Sequence, residues 1–366
     1  MENTMINIGF IGLGLIGGSI AKSLKKSDTS IYITAYNRSL QPLKDAVADG
    51  VVDKAAHEID DSFYDCDIIF LCTPVEHNST YLSLLKGIVK PGGIITDVGS
   101  VKGYIHETVR ELDMEACFIG GHPMAGSEKT GYSSSTDTML ENAYYAITPT
   151  PLTSKKSLDF YIELVRKTGA VPVITEPDKH DYAVAAVSHV PHLIASGLVN
   201  TVKENDTDDC LMKTLAAGGF KDITRIASSS ADMWSQICMT NSGQISLLLG
   251  KYIDYLSKIR EYVDRNDRAA ITEMFVQSKE YRDSISIRNS GPLPQSHAVY
   301  CDIEDKEGAL SDITGLLSAG GVNIKNIEII HNREYRDGVL LIDFYDSAGS
   351  ERAFEILSEN GRSVHK

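Results

Sequence analysis

The run "GFIGLGLIGGSIA", from Gly9 to Ala21, constrains the fold more than any other part of the chain. It carries G-x-G-x-x-G at Gly12, Gly14 and Gly17, directly after an apolar strand-like stretch and at the head of a helical one. In that setting each glycine has a task. The first allows the tight turn, the second lets backbone approach a pyrophosphate, and the third lets the helix pack on the strand. The helix N-terminus then points unpaired N–H groups and its positive dipole end at the phosphates. The opening therefore predicts a βαβ unit with a dinucleotide site beyond the carboxyl end of its first strand.

The pattern continues to about Pro149. "SIYITAYN", "CDIIFLCTP", "GGIITDVGS" and "ACFIGGHP" are apolar strand segments, with helical stretches alternating among the strands. That alternation predicts right-handed βαβ units and a parallel sheet. Ligands of such sheets sit past the strand ends, where Ser100 and His122 fall. From about Asp178 to Ser290 the texture becomes helical, as in "HDYAVAAVSHVPHLIASGLVNTV" and "MWSQICMTNSGQISLLLGKYIDYLSKIREYV". The apolar faces there exceed what one small bundle needs, which predicts a helical homodimer interface. "RNSGPLPQS" reads as a Gly/Pro linker. The remainder restarts as βαββα, with a short last strand in "RSVHK", matching a ferredoxin-like split βαβ unit. The expected division is a Rossmann-type α/β domain over 1–172, an all-α substrate and dimerisation domain over 173–290, a linker over 291–296, and an α+β domain over 297–366.

Composition narrows the partners. The net charge of −15 argues against a nucleic-acid binder, which normally presents a basic face. A few local cations still suffice for a small anion. The six cysteines form no C-x-x-C pair, which suits reduced thiols and a cytoplasmic location. The N-terminus has no basic n-region, so no signal peptide is expected, and no apolar stretch is expected to approach a membrane span of ~20 residues. No metal site is expected.

Several side chains stand out. In "IGGHPMAGSEKTG", His122 lies among glycines, a proline and a serine, with few apolar residues to bury it and no helix period through it. At the end of the second strand, where NAD enzymes place a carboxylate for the ribose 2′-OH, the chain has Asn37. An asparagine bonds a hydroxyl without repelling a 2′-phosphate, and Arg38 and Ser39 can welcome one, so NAD and NADP both stay open. "HDYAVAAVSHVPH" puts Asp181, Ser188, His189 and His192 near one helix face. Pro191 deprives the Val187 carbonyl of its helical partner, and a kink there would aim His189 outward. His189 and His192 read as metal ligands, as a structural pair, or with His189 at a substrate site. In "AAGGFKDITRIASSSADMW", Gly218 and Gly219 end or break a helix. Arg225 there either pairs with Asp222 on the surface or clamps a substrate carboxylate.

Taken in order, "GLGLIGGSIA", "TDVGSVKG", "GGHPMAGSEKTGY", "HDYAVAAVSHVPH" and "GGFKDITRIASSSADMW" closely resemble the prephenate dehydrogenases of tyrosine biosynthesis, over about residues 5–290. The tail resembles an ACT domain, a module that often binds an amino acid.

The resemblance implies oxidation of prephenate at its ring C4–OH, loss of the ring carboxylate as CO2, and formation of 4-hydroxyphenylpyruvate, with NAD (or NADP) as oxidant. It implies that His122 accepts the C4–OH proton, a task suited to a neutral imidazole near physiological pH. Ser100 would orient His122 or the hydroxyl, its alternative being the N-cap of the next helix. Arg225 and His189 would hold prephenate, with Ser127 and Glu128 lining or gating the cleft. Cofactor contacts would come from Gly12, Gly14, Leu15, Ile16, Gly17, Asn37, Arg38, Thr73 and Pro74. Lys102 and Lys129 are expected in solvent. In the ACT-like tail, Asp305, Gly308, Leu310, Asn323 and Ile324 sit where an effector, most simply tyrosine, would bind. That tail either is trimmed or completes its sheet through a partner chain. No chorismate mutase segment precedes the Rossmann part, so a bifunctional enzyme is not expected. The alternatives are an arogenate (cyclohexadienyl) dehydrogenase and a non-catalytic NAD or amino-acid sensor.

Overall fold

The computed structural model describes residues 5–127, 129–285, 297–304, 306–330 and 338–365. The chain divides into two compact units, Met1–Gly291 and Pro292–Lys366. The expected linker, Glu128 and Asp305 lie outside the described residues.

Unit 1 opens with β1 (Asn7–Ile11), α1 (Leu15–Ser27), β2 (Tyr32–Tyr36), α2 (Leu40–Ala48), β3 (Lys54–Ala56), β4 (Ile68–Leu71), α3 (Val75–Leu85), β5 (Ile94–Asp97) and α4 (Gly103–Glu111). The strands form one parallel sheet in the order β3-β2-β1-β4-β5. Both β4 and β5 are buried throughout, as strands covered by helices on both faces must be. Their alternation divides the core. Ile8, Phe10, Ile33 and Phe70 face one apolar cluster, while Ile11, Ile69, Leu71 and Ile95 face another with Ile105 and Val109 of α4. Phe10 stacks on Phe70 with centroids 5.1 Å apart. Each such side chain contributes about 1.5–3 kcal/mol by leaving water.

The sheet is not parallel to its end. Phe118 bridges Ile95 in parallel, bringing β6 (Ile119–Pro123) alongside β5. Next, β7 (Tyr144–Pro149) pairs with β6 antiparallel, and β8 (Val171–Ile174), reached through α5 (Lys155–Lys167), pairs with β7 parallel. Among the described residues, a short 3-10 turn at Tyr132–Ser134 is the one helical element between β6 and β7, so the chain returns without a crossover helix there and pairs antiparallel. The boundary expected at 172/173 falls inside β8, and the helical part begins at α6 (Pro177–Val184).

A π-helical turn over Ala185–His189 joins α6 to α7 (Val190–Asn205). Pro191 sits just beyond it, and the Val190 N–H reaches the Ala185 carbonyl five residues back. The proline that cannot close an ordinary turn is thus absorbed by a wider one. Contrary to expectation, the stretch Pro177–Asn205 is long and apolar enough, at a mean hydropathy of 1.4, to cross a membrane by composition. It nonetheless carries His180, Asp181 and His189 to buried positions within unit 1. The unit continues with α8 (Leu211–Leu215), α9 (Gly218–Thr224), α10 (Ala231–Thr240), α11 (Ser242–Asp264) and α12 (Arg268–Ser284). Gly218 and Gly219 open α9 rather than ending a helix. Large apolar side chains on α11 and α12, among them Leu247, Ile253, Phe275 and Tyr281, are exposed.

Unit 2 runs β9 (His297–Ile303), α13 (Ala309–Ala319), β10 (Ile324–Ile330), β11 (Gly338–Phe344), α14 (Ser347–Glu359) and β12 (Val364–His365). Its antiparallel sheet has the order β10-β11-β9-β12 and buries Val299, Leu340 and Ile342 with Ile313 and Leu357 of the helices. The short β12 pairs Val364 with Cys301 of β9, so this edge strand is supplied by the chain itself and not by a partner.

Candidate active site

The glycine turn has the geometry its sequence demands. Gly12 has φ +99°, and a Cβ there would stand 2.6 Å from the Cys72 carbonyl oxygen. A Cβ on Gly17 would stand 2.5 Å from the Gly12 carbonyl oxygen and 2.8 Å from Cys72 Cβ. A Cβ on Gly14 would meet nothing within 4 Å. Two glycines are thus required by the protein itself, and the middle one leaves room for something outside it. Gly14 also occupies the N-cap of α1 without a side-chain cap, so Leu15 and Ile16 begin a helix whose first N–H groups have no side-chain acceptor there. A dinucleotide pyrophosphate fits such a cradle.

Around this turn, Asn37 accepts from the Leu13 N–H at 2.8 Å and donates to the Ser39 carbonyl at 2.8 Å. Its amide therefore braces the loop at both ends, and Arg38 beside it is exposed. At the end of β4, Thr73 Oγ1 donates to Asn78 Oδ1 at 2.8 Å, and Pro74 takes the N-cap position of α3.

His122 lies on β6, buried, with a chain of polar groups behind it. Its Nδ1 is 2.8 Å from His180 Nε2, and His180 Nδ1 is 2.8 Å from Asp181 Oδ1. Asp181 accepts the Lys102 N–H at 2.8 Å on the same oxygen and the Gly103 N–H at 2.7 Å on the other. That carboxylate thus caps the N-terminus of α4, where a negative charge is favoured. The cap that is the alternative role for Ser100 is therefore supplied from α6, and Ser100 stands three residues ahead of the helix, partly exposed.

Lys102, expected in solvent, is completely buried. Its ammonium pairs with Asp97 and donates to the Gly121 carbonyl at 2.6 Å, while Asp97 also accepts from the N–H groups of Gly99 and Gly121. The pair ties the end of β5 to the backbone just before His122. Lys129 is exposed, as expected. Burial, aided by the neighbouring His180 and Lys102, holds the His122 pKa well below the usual histidine range. The imidazole is accordingly kept neutral, the form that can accept a proton.

His189 points inward rather than outward. It is buried, lies 3.2 Å from the Asn241 side-chain nitrogen through Nδ1, and meets the Trp234 ring edge-on. Burial pushes its pKa down to about 4. His192 stacks on the same Trp234 ring with centroids 3.7 Å apart. Arg225, just past α9, is exposed and makes no ion pair among the described residues, Asp222 included. Its guanidinium is thus available to a ligand. Ser127 is exposed, and its Oγ accepts from the Lys129 N–H at 3.2 Å.

Sequence reasoning passed over His180, Asn241 and the Lys102–Asp97 pair. The signal for His180 was its adjacency to Asp181 in "HD"; both belong to one short helix and reach opposite ends of the same hydrogen-bond chain. Gly308 has φ +86° at the N-cap of α13, and Asn323 and Leu310 are exposed, with Ile324 opening β10.

Comparison with known proteins shows what the chain as a whole is similar to. The family model described as "Prephenate dehydrogenase, nucleotide-binding domain" matches residues 20–174, and the one described as "Prephenate dehydrogenase, dimerization domain" matches residues 176–277. The prephenate dehydrogenase of Bacillus subtilis is 36% identical over 96% of this chain and 95% of its own length. That of Lactococcus lactis is 34% identical over 97% and 98%. A crystal structure of the prephenate dehydrogenase from A. aeolicus, in complex with hydroxyphenyl propionate and NAD+, superposes with a TM-score of 0.74 at 31% identity, covering 78% of this chain and all of that one.

Proposed function

The chain belongs to the prephenate dehydrogenase family, and from that premise we propose how its residues carry out the reaction. The activity is NAD-dependent oxidative decarboxylation of prephenate to 4-hydroxyphenylpyruvate. The observation that carries the reading is the buried His122 imidazole, backed on Nδ1 by His180 at 2.8 Å and with no hydrogen bond at Nε2 among the described residues.

The glycine turn with Leu15, Ile16 and the α1 N-terminus holds the pyrophosphate, and Asn37, Arg38, Thr73 and Pro74 flank the rest of the dinucleotide. When bound there, NAD supplies the two-electron acceptor. His122 takes the proton of the substrate C4–OH as the carbonyl forms. Loss of the ring carboxylate as CO2 leaves an electron pair that makes the ring aromatic, and the resulting phenolate oxygen takes the proton back. Ser100 orients the hydroxyl. Arg225 binds a substrate carboxylate with a planar fork that suits it better than a lysine would. His189 supports the substrate from the helical side, Ser127 edges the cleft, and Glu128 is a further candidate substrate contact.

The exposed apolar faces of α11 and α12 support a homodimer formed through the helical part. The antiparallel four-stranded sheet of unit 2 supports an ACT-type regulatory module, with tyrosine as the effector acting through Asp305, Gly308, Leu310, Asn323 and Ile324. An effector must bind two conformations unequally to change the rate. The location is cytoplasmic.

The test is a matrix of NAD or NADP against prephenate or arogenate, followed by absorbance of the reduced cofactor and repeated with added tyrosine. Turnover is expected with NAD and prephenate and should fall with tyrosine. A flat trace from folded protein in every cell would replace the enzyme by a sensor. Faster turnover of arogenate would change the substrate, and indifference to tyrosine would remove the effector.

A further inference from the structure

We propose that His180 and Asp181 act on His122 as a tautomer-setting and charge-sharing relay, so that the proton-accepting nitrogen is fixed by the N-terminus of α4. The proposal deepens the reading above and rests on His122 being the proton acceptor. It concerns a positioning role, since neither His180 nor Asp181 need touch the substrate.

The direction of the chain follows from counting donors. Asp181 already accepts two backbone N–H groups, from Lys102 and Gly103. Neither amide can act as an acceptor, so both fix the carboxylate as the accepting partner. Its third neighbour, His180 Nδ1 at 2.8 Å, must therefore carry a hydrogen and donate it. A neutral imidazole with hydrogen on Nδ1 has its lone pair on Nε2. That lone pair faces His122 Nδ1 at 2.8 Å, so His122 Nδ1 is in turn the donor. The lone pair of His122 is left on Nε2, the nitrogen without a hydrogen bond among the described residues. The opposite tautomer would set two lone pairs against each other in a buried site and lose the bond.

The same chain shares charge. When Nε2 takes the substrate proton, His122 becomes an imidazolium next to the buried Lys102 ammonium, an unfavourable neighbour. Transfer of the Nδ1 proton to His180 Nε2 moves the positive charge one ring away and places it against the Asp181 carboxylate. No net proton is gained or lost. The proton leaves the substrate oxygen, and after CO2 departs it returns to the same oxygen, while the Nδ1 proton moves out to His180 and back. The arrangement resembles an Asp-His pair behind a catalytic base, with a second histidine inserted between.

The test uses the full-length protein labelled with 15N-histidine and the variants His180→Leu and His180→Gln. Long-range 1H–15N NMR of the unaltered protein should show His122 as the Nδ1–H tautomer, identified by loss of its signals in His122→Asn. Leucine offers no acceptor, so His180→Leu should populate both tautomers and lower kcat on the order of 100-fold, with KM for prephenate changing less than threefold. Glutamine restores an acceptor oxygen but cannot carry the charge. His180→Gln should keep the Nδ1–H tautomer and recover part of the lost kcat, at least fivefold over the leucine variant.

Hydrogen on Nε2 of His122 in the unaltered protein would overturn the proposal, and so would His180→Leu turning over within threefold of it. Should the leucine variant not fold, the tautomer of the unaltered protein and the kcat deficit of His180→Gln decide the matter, an undiminished kcat counting against charge sharing. The NMR reading requires no turnover. A protein that showed the expected tautomer and yet did not oxidise prephenate would locate the failure in the functional reading.

Discussion

Gly14 and Gly17 differ by three positions in one motif, and the structure separates what each is for. At Gly17 an added methyl would press on the Gly12 carbonyl oxygen at 2.5 Å and on Cys72 Cβ at 2.8 Å. Both are anchored to backbone and cannot swing aside, so Gly17→Ala should cost about 1–3 kcal/mol as overpacking. At roughly 2–4 °C per kcal/mol for a unit of this size, the melting temperature should fall by about 2–12 °C. Gly14 has φ −90° and ψ −156°, a conformation open to alanine, with nothing within 4 Å of the added carbon. A lower denatured-state entropy favours Gly14→Ala by about 0.4–1 kcal/mol, and a poorer N-cap opposes it by a similar amount. Its melting temperature should therefore barely move. The methyl would occupy the space through which a pyrophosphate approaches the α1 N–H groups. Losing one charge-assisted hydrogen bond, about 1.5–3 kcal/mol, should weaken NAD binding about 10- to 150-fold. Calorimetric titration with NAD, beside thermal melts of the same samples, reads both effects. A Gly14→Ala protein that binds NAD within threefold of the parent, or that melts as low as Gly17→Ala, would refute this division of labour.

Two further outcomes follow from buried charge. Lys102→Met should destabilise unit 1 by about 3–5 kcal/mol in chemical denaturation, because it leaves Asp97 buried without its cation; a loss under 1 kcal/mol would count against the pair as observed. Burial also lowers the pKa of His106 and His189 from 6.5 to about 4 and holds His122 well below its usual range. Below pH 6.5 the unfolded chain takes up protons that the folded chain refuses, so stability should fall as pH drops from 6.5 toward 4. Each such histidine removes about 1 kcal/mol between pH 6.5 and 5.5, as urea midpoints across that range would reveal. A flat midpoint would mean that these rings titrate normally in the folded protein.

The parts legible in the sequence are those governed by a local rule. The strand, turn and helix around Gly12, Gly14 and Gly17 follow from steric need. The break at Pro191 follows from a missing N–H, though not the π-helical form it takes, nor the inward direction of His189. What stayed hidden depends on partners far apart or oddly spaced. Lys102 and Asp97 are five residues apart across a turn, a spacing that neither helical nor strand periodicity pairs. A lone lysine also reads as a solvated one by default. His122 meets His180 across 58 residues, and nothing local announces the pairing. The antiparallel step from β6 to β7 is not announced locally, because the long segment 124–143 separates the two strands where a tight hairpin turn would have marked the return.

The carboxylate that caps α4 belongs to a different helix from the one it steadies. A fragment ending near residue 174 would thus retain the imidazole meant to do the chemistry but lose the groups that orient it, and a fragment starting near 176 would hold those groups with nothing to orient. Mixing two such inert halves and asking whether they complement each other would be asking whether this molecule's competence resides in either piece or only in their seam.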